Sequence, residues 1–166
     1  MTAPLLVLGW GNLSRGDDAL GPLFVQRLRA LVAGAAAREL AVDFLDDYQL
    51  QIEHALDLAG RERVLFVDAS FTCAAPFEVT ALHPAHDASF TTHAISPAAV
   101  LQVYRDLYRV EPPQCTQLAI RGAQFILGEP PGNPALEHLA QALDWGRCWL
   151  TDTLQDTALS RTACSM

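Results

Sequence analysis

Two aspartates and a histidine are the residues of this sequence best placed to do chemistry. Asp18 follows a glycine turn after the apolar run 5–8, Asp68 closes the apolar run 64–67, and His93 lies in a polar loop ahead of Ser96 and Pro97. Two carboxylates and an imidazole suit a divalent first-row metal, with coordination positions left open. Each residue also has a plainer role open to it. Asp68 could cap the next segment, and His93 could be an ordinary loop histidine. His83 and His86 read as solvated surface. Of the adjacent acids, Asp17 reads as the helix cap, which frees Asp18 because one cap suffices.

Other chemistries fit less well. Gly9 and Gly11 start a dinucleotide fingerprint, but Ser14 stands where its third glycine belongs. Asp17 and Asp18 would also repel a pyrophosphate at that helix start. The sequence has no HExxH, GxSxG or Walker A motif. Cys73, Cys115, Cys148 and Cys164 form no CxxC and none sits beside a glycine-rich elbow, so a zinc ribbon, a redox pair and a thiol nucleophile are all disfavoured. A peptidase built from this chain would work without a familiar nucleophile.

The segment 9–21, GWGNLSRGDDALG, resembles the opening motif of the hydrogenase maturation endopeptidases, G-x-G-N-x-(three residues)-D-[DE]-x-x-G. The resemblance extends in order to Val67-Asp68 and Thr92-His93, and spans nearly the whole chain to about residue 150. It implies an endopeptidase that removes the C-terminal extension of a [NiFe] hydrogenase large-subunit precursor. Asp18, Asp68 and His93 would be its catalytic set and would recognise nickel. That nickel is supplied by the substrate, with no cofactor bound permanently, and the precursor is the protein partner. Cleavage would follow the histidine or arginine that ends the substrate's last cysteine motif, with Asp18 or Asp68 as a possible base toward water. A non-catalytic metal-sensing chaperone of the same large subunit is the alternative.

Two departures bear on the substrate. The segment 46–51, DDYQLQ, replaces the family's D-x-G-T-x-G-like loop, and Ala19 stands where glycine is common. Together with 53–57, EHALD, the replaced loop resembles the branch serving NAD-reducing or bidirectional hydrogenases.

The elements that must position these residues follow from hydrophobic periodicity. Strands are expected at 5–8, 40–45, 64–67, 77–82 and 117–125. A first helix carries Leu20, Phe24, Leu28 and Leu31, with Pro22 in its opening turn. A second, from about Tyr48, carries Ile52, Ala55, Leu56 and Ala59 and stops at Gly60. Ser96 and Pro97 open a third through Val100, Tyr104 and Leu107. Asn133 and Pro134 open the last, through Leu136, Leu139, Ala140, Leu143 and Leu150. The alternation predicts a three-layer α/β/α sandwich with a mostly parallel sheet of about five strands. Ligands in such folds bind at the carboxyl ends of the strands.

A single domain is expected over 1–150, and residues 151–166 read as a loosely held polar tail. At 51% hydrophobic and 18% charged, the chain is globular, and a net charge of -8 disfavours nucleic acid. No basic leader and no apolar run of membrane length stand out, so a cytoplasmic monomer without membrane contact is expected.

Overall fold

The computed structural model describes residues 2–34, 40–86 and 95–163, with 153–163 described by backbone alone. Five strands form one sheet: β1 (Leu5–Trp10), β2 (Val42–Asp47), β3 (Arg63–Ser70), β4 (Phe77–Leu82) and β5 (Gln114–Arg121). Their order is β2-β1-β3-β5-β4. All neighbours pair in parallel except β4, which runs antiparallel to β5 at the edge. Among the described residues, three helices accompany them, α1 (Leu20–Val32), α2 (Pro97–Tyr108) and α3 (Asn133–Ala163), with short 3-10 helices at Gly16–Ala19 and Ile52–Leu58.

Side chains alternate across the sheet, and both faces are covered. Leu5, Val7, Leu65, Val67, Leu118 and Ile120 pack with Phe24 and Leu28 of α1 and Leu139 and Leu150 of α3. Leu6, Leu8, Val64 and Phe66 pack with Ala55 and Leu58 and with Val100, Leu101 and Tyr104 of α2. Double coverage explains why the central strands are unbroken apolar runs. Each large side chain withdrawn from water contributes roughly 1.5–3 kcal/mol. The layers are therefore α1/α3, sheet, and α2 with the Ile52–Leu58 helix, which is the expected α/β architecture.

Several elements depart from the sequence expectation. The helix expected from Tyr48 is a 3-10 helix starting at Ile52, with Tyr48 outside it and 65% exposed. At three residues per turn, Ala55 and Leu58 share the buried side and Leu56 falls off it, while Ile52, the first residue of the helix, is also exposed. Leu31 and Leu107, near the carboxyl ends of α1 and α2, are exposed. In α3 the face turns inward at Ala142, with Ala140 exposed. β2 and β5 sit at 42–47 and 114–121, against expected spans of 40–45 and 117–125. Strand β3 runs past Asp68 to Ser70, and Asp68 pairs with Ala119. Asp68 therefore caps nothing. The segment from Thr151, expected as a loose tail, continues α3 as helix to Ala163. Among the described residues, no helix is long and apolar enough to cross a membrane.

Candidate functional site

The site begins where β1 ends. Gly11 has φ +148, and its N–H donates to the Asp47 carbonyl at 3.1 Å. A Cβ there would lie 1.9 Å from the Asp18 carbonyl oxygen, so only glycine fits the turn. Gly21 permits the second close approach: a Cβ would stand 2.2 Å from the Trp10 carbonyl oxygen, and α1 is thereby seated against β1. The folded-back segment lets the Asp18 carboxylate accept the Asn12 N–H at 2.9 Å.

Asp68 projects from the neighbouring strand β3 into the same cleft, a space of roughly 260 Å³ bordered also by Trp10, Asn12, Arg15, Tyr48 and Ile95. Burial pushes its carboxyl up from an ordinary value near 3.8 to about 7, and the Asp18 charge adds to the shift. Hydrogen bonds from the Ala69 backbone and the Trp10 side chain oppose it. Two carboxylates thus share one cleft at the carboxyl ends of adjacent parallel strands. Such a pair is relieved by a cation or by a shared proton.

The structure is similar over most of its length to solved hydrogenase maturation proteases. The [NiFe] hydrogenase maturation protease HycI from Thermococcus kodakarensis superposes with a TM-score of 0.68 at 21% identity, covering 90% of this chain and 93% of that one. The hydrogenase maturating endopeptidase HybD from E. coli gives 0.67 at 22% identity, covering 92% and 94%. A hydrogenase 2 maturation peptidase from a Thaumarchaeota archaeon gives 0.61 at 20%, covering 89% and 97%. The chain has the maturation-protease fold. Neither a family model nor a curated protein matches it in sequence.

Within that maturation-protease fold, Asp18 and Asp68 are brought together, and His93 lies outside the described residues. Among the described residues, no three His, Cys, Asp or Glu side chains gather as a metal-holding group. His83 and His86 are exposed, as expected of surface residues. They follow the end of β4, where Leu82 pairs with Cys115 at the start of β5, at the opposite end of the strands from Asp68, which pairs with Ala119.

Asp17 is not a helix cap. It is 2% exposed, and its carboxylate accepts the N–H groups of Ala123, Gln124 and Gly132 at 2.7, 2.9 and 2.8 Å. Backbone bonds tighten the same junction: Asp17 N–H to the Gln124 carbonyl at 2.7 Å, Gly16 N–H to Glu129 at 2.9 Å, and Gly128 N–H to Ser14 at 2.7 Å. The acid binds the segment 122–132, which follows β5, to the turn that carries Asp18.

The opposite wall of the cleft is fastened by a buried histidine. Gln51 N–H donates to His54 Nδ1 at 2.8 Å, so the ring proton sits on Nε2 and faces Asp47 Oδ2 at 3.1 Å. Asp47 Oδ1 accepts the Tyr48 N–H at 2.6 Å, and the Tyr48 hydroxyl accepts from the Asn12 side-chain amide at 3.0 Å. Asn12, Tyr48 and Trp10 therefore also border the site, beyond the residues expected from the sequence. For Asn12 a signal was present, since it is a fixed position of the opening motif.

Proposed function

We propose that this protein is an endopeptidase that removes the C-terminal extension of a nickel-loaded [NiFe] hydrogenase large-subunit precursor. The observation that carries the reading is the Asp18–Asp68 cleft at the carboxyl ends of β1 and β3, in a fold shared with solved maturation proteases. Asp18, Asp68 and His93 recognise the substrate's nickel in this reading. Ile95, two positions after His93, borders the same cleft. A divalent cation entering beside Asp68 favours its charged form and offsets the repulsion between the two acids.

Hydrolysis then needs little from the protein beyond placement. The nickel-bearing substrate is held with its scissile peptide in the cleft, and one carboxylate takes a proton from the attacking water. The oxygen of that water bonds to the carbonyl carbon, the C–N bond breaks, and the amine leaves with a proton. The enzyme keeps no metal of its own and works as a cytoplasmic monomer. The precursor of an NAD-reducing or bidirectional hydrogenase is its substrate in this reading, a choice that stands on the segments 46–51 and 53–57 alone and draws no support from the similar structures.

The test is incubation of the purified protein with nickel-loaded and nickel-free precursor, followed by intact-mass measurement. Loss of the C-terminal peptide from the nickel-loaded form alone is expected. Stable binding without release of a peptide would favour the metal-sensing chaperone.

A further inference from the structure

Arg15 is the one cation among the described residues bordering the cleft of Asp18 and Asp68. An arginine beside two carboxylates would ordinarily bridge to one of them. Here it forms no ion pair among the described residues. Its Nε donates to the Phe125 carbonyl at 3.2 Å, in the segment that Asp17 binds to the turn, while Asp18 takes the Asn12 N–H instead. The guanidinium is held by one edge, and both Nη nitrogens lack a protein acceptor among the described residues.

A guanidinium anchored through Nε offers a preoriented fork for a planar carboxylate. We propose that Arg15 is a substrate-binding residue that takes a carboxylate of the precursor peptide in this cleft. The inference rests on the endopeptidase reading and names the second charge that the site recognises. A small free anion would meet the repulsion of Asp18 and Asp68. A ligand that carries a cation and a carboxylate together satisfies both halves of the cleft. In a peptide that carboxylate belongs either to an Asp or Glu side chain or to the terminal carboxyl group.

The experiment measures affinity of the full chain for nickel-loaded precursor by calorimetry, so it does not depend on cleavage. Arg15→Gln keeps a donor for the Phe125 carbonyl and removes the charge. It should weaken binding by roughly tenfold or more, as loss of a charged hydrogen-bonded pair does. Arg15→Lys, charged but unable to fork, should fall between. Against a precursor with an amidated C-terminus, or one with the acids of its extension changed to amides, the difference between wild type and Arg15→Gln should vanish for whichever carries the partner. Equal affinity of wild type and Arg15→Gln would overturn the inference, as would the same loss against every precursor. Failure of the wild-type protein to cleave the loaded precursor would overturn the endopeptidase reading and leave this binding comparison intact.

Discussion

The Asp17 carboxylate accepts the Gly132 N–H at 2.8 Å across a sequence separation of 115 residues, and its other oxygen takes Ala123 and Gln124. An amide in its place has one acceptor oxygen and turns a donor toward a backbone donor. Asp17→Asn should therefore destabilise the fold by about 1–3 kcal/mol in urea unfolding. A cap would survive this change, so a loss under about 0.5 kcal/mol would contradict the observed role. Asp18 accepts a single N–H, which asparagine can also accept, so Asp18→Asn should leave stability nearly unchanged.

Asp68 gives the protein a pH signature. Its folded-state pKa of about 7 lies above its ordinary value near 3.8, with burial as the first cause and Asp18 as a further one. Between those limits the folded state binds more protons than the unfolded one, so stability falls as pH rises through the window. The slope from this group is at most about 1.4 kcal/mol per pH unit. Asp68→Asn should flatten the decline and raise stability above pH 7 relative to wild type. Parallel stability curves for the two proteins from pH 4 to pH 8 would count against it.

Gly11 tests the turn. Any side chain there meets the Asp18 carbonyl at 1.9 Å in a left-handed conformation. Gly11→Ala should cost about 2–5 kcal/mol, from backbone strain and overpacking together. A melting temperature equal to wild type would show that the turn can open without consequence.

Trp149 and Leu150 are the last buried residues of α3 among those whose side chains are described, and Thr151 and Asp152 after them are exposed. Removal of residues 153–166 should change stability by no more than about 0.5 kcal/mol. A large fall in melting temperature would mean that the end of the chain docks onto the domain.

Much of the scaffold was legible because its signals are local. The run 77–82 is expected as a strand and forms β4, at the edge of the sheet. Ser96 precedes Pro97, and its hydroxyl accepts the Ala99 N–H at 3.2 Å, as an N-cap should. The runs at 5–8 and 64–67 are apolar throughout because helices cover both faces of the sheet. What was not legible depends on distant partners or on a different period. The partners of Asp17 lie more than a hundred residues away, so its adjacency to a helix start pointed to the wrong role. The helix at Ile52–Leu58 winds at three residues per turn, so a period of 3.6 places Leu56 on the wrong side, and Ile52 is exposed as the first residue of that helix. Asp18 and Asp68 could be matched from sequence because each follows an apolar run that ends at the same sheet edge. Arg15 could not, since its orientation depends on the Phe125 carbonyl.

The most direct measurement is the mass of nickel-loaded precursor after incubation with wild type, Asp18→Asn, Asp68→Asn and His93→Ala, each first shown to be folded. If these residues read the nickel, wild type releases the C-terminal peptide, and each variant releases none or does so at least about a hundredfold more slowly, the scale on which loss of an electrostatic catalytic group acts. Wild-type rates in Asp18→Asn and Asp68→Asn would contradict the account.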